Sequence, residues 1–192
     1  MKTRDLAYIA LFAAIIAVLG TLPAINVGPV PITAQTLGVM LAGSVLGARR
    51  GFLAVLLFLV LVAVGLPLLA SGAGGLAPFA GPTAGYLFSW PVAAFVIGWL
   101  TERAWTRLSV PLAFAINVLG GICVIYAVGI PWLAVSAKLP LAKAALGSLA
   151  FVPGDCVKAA IAASIAVTLK RAWPLIQPPR PAAPTAPPPS ST

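Results

Sequence analysis

The stretch Leu146-Gly-Ser-Leu-Ala-Phe-Val-Pro-Gly-Asp155-Cys-Val-Lys158-Ala-Ala-Ile-Ala-Ala-Ser-Ile-Ala-Val-Thr-Leu169 decides how this chain is read. It is almost purely apolar, yet it holds an acid and a lysine three positions apart. In a helix that spacing puts Asp155 and Lys158 on one face. A single charge at the centre of a bilayer costs about 2.5–3.5 kcal/mol on insertion scales. Two together mark a buried polar site for something that docks in, or crosses, a membrane. Pro153 removes a backbone donor and Gly154 loosens the turn, so the helix is expected to kink or restart there. Asp155 then falls in the first turn of the next helical segment. The residues alone leave two roles open. In one, Asp155 complements the helix dipole while Lys158 snorkels outward or pairs with it. In the other, Asp155 accepts ligand N–H groups and Lys158 meets a ligand anion or carbonyl.

Composition agrees with a membrane setting. The chain has 192 residues, of which 61% are hydrophobic and only 8% charged, with a mean hydropathy of +1.08. A soluble domain of this size needs far more charge on its surface. Twelve bases face three acids, for a formal charge of +9. The bases come in pairs between apolar runs rather than as a patch, which argues for membrane topology and against nucleic acid. Histidine is absent, which removes histidine-based acid–base chemistry and histidine metal sites. The chain has no P-loop and no Gly-Lys dipeptide. It also lacks a Ser/His/Asp set, and three acids leave little room for a carboxylate pair. Binding or transport is favoured over catalysis, and no cofactor is expected. Cys123 and Cys156 belong to no metal or redox motif and are expected as small core residues.

Six spans fit the apolar runs: about Leu6 to Leu22, Gln35 to Leu46, Gly51 to Leu66, Thr83 to Leu100, Pro111 to Gly129, and about Ala144 to Leu169. The run from Met1 to Gly20 is read as the first span, not as a cleaved signal. The second and third fall short of the roughly 20 residues of a straight crossing. Their ends are therefore expected to be misplaced, or the second to start below the surface, or the two to form a buried hairpin that does not fully cross. With alternating spans, Lys2, Arg4, Arg49, Arg50, Arg103, Arg107, Lys170, Arg171 and Arg180 fall on one side, and Lys138 and Lys143 on the other. Lys and Arg accumulate on the cytoplasmic side, so both termini are expected inside. The fold class is thus an all-α integral membrane protein, a bundle of six transmembrane helices with both termini in. The domain is expected over residues 1–172, followed at 173–192 by a Pro-rich, disordered or polyproline-II-like cytoplasmic tail.

The loops on the other side are apolar and broken by Gly and Pro. They run from Pro23 to Ala34 and from Pro67 to Pro82. Such loops either fold over the mouth of the bundle or lie on lipid headgroups. In the first span, Ala10 with Ala14 and Ala13 with Ala17 make small pairs one turn apart. They suit close helix packing, either inside the bundle or against a separate membrane subunit. Gln35, Thr36 and Tyr86 are polar groups at the outer ends of spans, readable as caps and anchors or as parts of a site.

Several segments taken together resemble the BioY family, the biotin-uptake S components of energy-coupling-factor (ECF) transporters. They are Pro31-Ile-Thr-Ala-Gln-Thr-Leu-Gly-Val-Met-Leu-Ala-Gly43, Leu46-Gly-Ala-Arg-Arg-Gly51, Gly65-Leu-Pro67, Gly72-Ala-Gly-Gly75, Gly81-Pro-Thr-Ala-Gly-Tyr-Leu87 and Val152-Pro-Gly-Asp-Cys-Val-Lys158. The resemblance implies a six-helix S-component fold in the cytoplasmic membrane, binding biotin near the outer leaflet without being an enzyme. It implies that Asp155 and Lys158 make polar contacts to the vitamin, and that Gln35, Gly85 and Tyr86 belong to the pocket. It implies that Ala10 and Ala14 face a membrane coupling subunit (the T component), which works with ATPase subunits. The family usually has a second Gly where this chain has Ala84. Asp155 can accept a ureido N–H of biotin, while Lys158 can donate to the ureido oxygen or to the carboxylate. The alternatives are an S component for another vitamin, a stand-alone secondary carrier using Asp155 as a proton relay, and, remotely, a membrane enzyme.

Overall fold

Backbone N–H and C=O groups in hydrocarbon have no water to bond, so runs this apolar satisfy them within helices. The structure, a computed structural model, describes residues 2–27, 30–172 and 175–176. It is almost entirely helical. Helix α1 spans Thr3–Gly20 and leads into a short antiparallel hairpin, β1 Ile25–Val27 and β2 Val30–Ile32. Then come α2 Gln35–Leu46, α3 Ala48–Ala63 and α4 Ala84–Arg103. Helix α5, Val110–Val118, runs through a π turn at Leu119–Val124 into α6, Ile125–Ser136. Helix α7, Leu141–Ser148, passes through a 3₁₀ turn at Leu149–Phe151 into α8, Val152–Ala172. Among the described residues, four helical stretches are long and apolar enough to cross a membrane: Thr3–Gly20, Ala84–Arg103, Val110–Ser136 and Leu141–Ala172.

Side-chain contacts define two ends of the bundle. At one, Asp5 of α1 pairs with Arg50 of α3 at 3.5 Å. There too Glu102 of α4 accepts the Ala48 N–H of α3 at 2.8 Å, and Lys170 of α8 donates to the Leu108 carbonyl before α5 at 3.4 Å. The carboxylate of Glu102 thereby caps one of the free N–H groups at the start of α3. At the other end, the close of α1 meets the start of α2, where Gln35 donates to the Ile16 carbonyl at 3.3 Å. Successive helices therefore alternate in direction between a basic end and an end that carries the hairpin and the loops.

The short second helix has a physical explanation. Ten of the twelve residues of α2 are buried, from Gln35 to Leu46. Protein sheathes it on nearly every side, so it has no lipid thickness to match. Its expected bounds hold, and its shortness is real rather than a misplaced end. Gly47, at φ 84, takes the left-handed conformation and turns the chain directly from α2 into α3. Gly43 lets α2 lie close on α4, since a Cβ there would sit 2.6 Å from the Ala94 carbonyl oxygen. Wholly buried Asn117 ties α5 to α2, accepting the Ser44 hydroxyl at 3.0 Å. On the outside, large apolar side chains such as Val64, Phe88, Leu119 and Val135 stay exposed, as expected of a surface whose solvent is lipid.

Other expectations shift. The fifth span does not end at Gly129 but carries on through Pro131 to Ser136. The sixth begins at Leu141 and is re-formed by the 3₁₀ turn before Pro153, which leaves Asp155 in the first turn of α8. Cys123 is exposed and so not a core residue, whereas Cys156 is half-buried and packs against the core. The residue types suit lipid contact as well as a protein interior, which is why their place was not legible. The Pro-rich tail lies outside the described residues except for Leu175 and Ile176. Those two pack on the basic end, where the Leu175 carbonyl accepts Arg50 at 2.8 Å and Ile176 is buried.

Candidate functional site

A cavity of about 360 Å³ opens at the loop end of the bundle. Its wall draws on the hairpin at Val30–Ile32, the loop at Leu69–Ala73, and the first turns of α2, α4 and α8. The apolar Gly- and Pro-rich loops thus fold over the mouth of the bundle. The π turn in the α5–α6 stretch widens the helix and resets the register of α6. Ile125 and Tyr126, the residues just after it, face the cavity.

Asp155 is the polar centre. It is only 4% exposed. Lys158 Nζ donates to its Oδ1 at 2.8 Å, and Thr36 Oγ1 donates to the same oxygen at 3.3 Å. Lys158 Nζ also donates to Thr36 Oγ1 at 3.0 Å. Tyr126 donates to Oδ2 at 2.7 Å. The four groups come from α2, α6 and α8. Counting donors and lone pairs, Lys158 keeps one N–H free, and Oδ2 of Asp155 keeps one lone pair free. Lys158 and Asp155 thus keep one donor and one acceptor between them, and the Thr36 and Tyr126 oxygens keep further acceptor capacity at the cavity. Leu69, Leu87, Trp90 and Phe151 supply an apolar wall around it.

The other expected site residues differ in place and role. Tyr86 lines the cavity and is buried, with its ring edge-on to Tyr126 at 6.3 Å between centroids. Ser148 donates to the Ala144 carbonyl, so the Tyr86 hydroxyl donates to Ser148 Oγ at 2.9 Å, and its oxygen can still accept. Gln35 also borders the cavity, but its amide is engaged. It donates to Ile16 and Leu68 carbonyls and accepts the Ala70 N–H at 3.1 Å. It joins α1, α2 and the loop that roofs the cavity. Gly85 is not in the cavity wall. It faces α6, where a Cβ would run into Trp132. Neighbouring Ala84 is fully buried, so the extra methyl is accommodated. Ala10 and Ala14 lie on the exposed side of α1, whereas Ala13 packs inward. Sequence reasoning noted Thr36 without assigning it to the site, and missed Tyr126 and Trp90. The available signal for Tyr126 was a hydroxyl deep in an otherwise apolar helix.

The family model described as the BioY family matches residues 1–175 of the chain. A biotin transporter BioY of Rhizobium etli is 54% identical over 183 residues, covering 92% of this chain and 98% of that protein. A biotin transporter BioY of Rhodobacter capsulatus is 50% identical over 177 residues, covering 86% and 93%. Among solved structures, the crystal structure of the S-component for biotin from an ECF-type ABC transporter superposes with a TM-score of 0.84. It is 36% identical and covers 89% of this chain and 95% of that one.

The three hydrogen bonds of the Gln35 amide mark it as a clamp rather than a free ligand contact. Gln35→Leu is expected to destabilise the ligand-free protein by about 1–3 kcal/mol, because it leaves buried backbone groups unpaired. A lower thermal midpoint in detergent, measured without any ligand, checks this. An unchanged midpoint would remove the clamp.

Proposed function

The chain belongs to the BioY family, and from that premise we propose that it binds biotin in the cavity over Asp155 and serves as the S component of an ECF transporter. It is a transport protein, not an enzyme. The observation that carries the site assignment is the buried Asp155–Lys158 pair in the cavity wall, which keeps one donor and one carboxylate lone pair unused. The ureido ring of biotin offers the complement, an N–H next to a C=O on one edge. Its N–H donates to Asp155 Oδ2, and its oxygen accepts from Lys158. The carboxylate of biotin sits at the far end of a flexible chain. A lysine nitrogen only 2.8 Å from the carboxylate of Asp155 suits the ureido oxygen better. Tyr86 and the apolar wall cover the rest of the vitamin, and Gln35 holds the roof in place. Gly85 acts at one remove, by letting α4 close on α6 beside Tyr86.

Topology and coupling follow the same reading. In this reading the chain crosses six times (α1, α2, α3, α4, α5–α6 and α8), with the basic end and both termini in the cytoplasm, as the excess of Lys and Arg there favours, and the cavity near the outer leaflet. Residues 1–172 form the membrane domain of a multi-pass protein of the cytoplasmic membrane, and 173–192 the cytoplasmic tail. The exposed Ala10–Ala14 side of α1 is the docking face for the T component, where small side chains let two helices approach closely. The ATPase subunits work through that partner, since this chain has no P-loop of its own.

Calorimetric titration of the detergent-purified protein should give tight binding of biotin. Asp155→Asn or Lys158→Ala should weaken it by at least about tenfold, because each leaves a buried charge unpaired. A panel with thiamine, riboflavin and desthiobiotin separates biotin from other vitamins, and equal titrations of both variants would remove the site. Alkaline phosphatase fused after Thr192 should be inactive and a fluorescent protein fused there bright, with the reverse pattern overturning the orientation. Ala14→Trp should abolish cellular uptake while leaving biotin binding by the purified protein intact. Undiminished uptake would clear that face of a docking role.

A further inference from the structure

The charges around the cavity are few, and they are already committed. Among the described residues of its wall, Lys158 is the one cation and Asp155 the one anion. They pair with each other at 2.8 Å, so the wall is neutral as a unit. Lys138 and Lys143, between α6 and α8, are exposed and outside that wall. The other acids, Asp5 and Glu102, are engaged at the basic end of the bundle.

A second carboxylate brought to the Asp155 pair would find no cation left to neutralise it, and an unbalanced buried charge is costly. The first turn of α2 is no better a seat, since Thr36 there is already bonded to Asp155. Exposure rises from this floor to the rim. Asp155 is buried, Thr33 and Thr83 are half-buried, and Ser71 and Ala73 are exposed. The polar side chains of that rim, Thr33, Ser71 and Thr83, are all hydroxyls. A hydroxyl both donates and accepts, so it bonds a carboxylate, an ester carbonyl or an amide alike. With the ureido ring at Asp155, the alkyl chain of biotin carries its carboxyl end away from the pair and toward this rim.

We propose that the cavity reads the ureido head of its ligand and not the charge of its tail, so that small neutral amides and esters of biotin belong to its ligand class beside the free acid. This inference rests on the biotin reading of the cavity and extends it to a class of compounds. Two magnitudes separate it from its opposite. The partial positive charge at the start of α4, beside Thr83, is worth at most about fivefold to an anion at an exposed site. A carboxylate held by a buried cation would lose about a hundredfold or more on being neutralised.

The test is calorimetric titration of the full wild-type chain in detergent with biotin, its primary amide and its methyl ester. The amide has nearly the shape of the carboxylate, so it isolates the charge, and the ester asks whether the rim admits a longer tail. Both are expected to bind within about fivefold of biotin. A larger loss with either compound overturns the proposal. Repeating the series with Lys158→Ala then locates the fault: a loss that disappears in the variant assigns the carboxylate to Lys158 instead of the ureido oxygen. Should biotin itself not bind, the ligand reading fails. Should biotin bind and the amide not, only the neutral-tail inference fails, so the two failures stay distinct.

Discussion

A carboxylate held in an apolar interior has to be surrounded by donors, and at Asp155 that demand organises the site. The charge cannot be left bare, since an unpaired buried ion costs several kcal/mol. Lys158 neutralises it from its own helix, while Thr36 and Tyr126 reach it from α2 and α6. Satisfying one anion thereby sets the mutual placement of three helices around a cavity. The arrangement stops short of saturation, because one N–H on Lys158, one lone pair on Asp155 and acceptor capacity on the Thr36 and Tyr126 hydroxyls remain. That unmet bonding gives the cavity its chemistry.

The helices can meet around that cavity because α2 is short and wrapped in protein. A helix with almost no lipid contact is released from the length rule that governs its neighbours. It needs neighbours that come close, and Gly43 against α4 and Gly47 at the turn into α3 allow this. The first turn of α2 then lies where it can serve two tasks. Thr36 completes the anion's shell, and Gln35 ties the roof loop to α1, with two bonds to the loop and one to the Ile16 carbonyl. The roof itself is apolar and Gly-rich, so it packs on the cavity instead of standing in water.

The opposite end of the bundle is held by different means. The Asp5–Arg50 pair is partly exposed, with the Arg50 side chain 22% and the Asp5 side chain 25% accessible, and such pairs contribute little. The cap that Glu102 places on α3 and the seat that Leu175 and Ile176 take beside Arg50 link helix ends there. Stability at that end rests on helix packing, whereas the cavity end is organised by buried polar bonds. The polar cavity accordingly sits where those bonds are.

Much of this could be read along the chain. Hydropathy located the helices, and the spacing of Asp155 and Lys158 put them on one face. Pro153 and Gly154 announced the restart that leaves Asp155 in a first turn. These are local properties, set by composition and by a period of 3.6 residues, and they need no neighbour to express them. Only the tertiary structure decided the relations between distant segments. Tyr126 joins Asp155 across 29 residues and Thr36 across 119, Gly85 turns toward α6 rather than the cavity, and the Trp90 indole is left without a partner. A buried polar group finds its partner through the packing of helices, and no single stretch of sequence contains that packing.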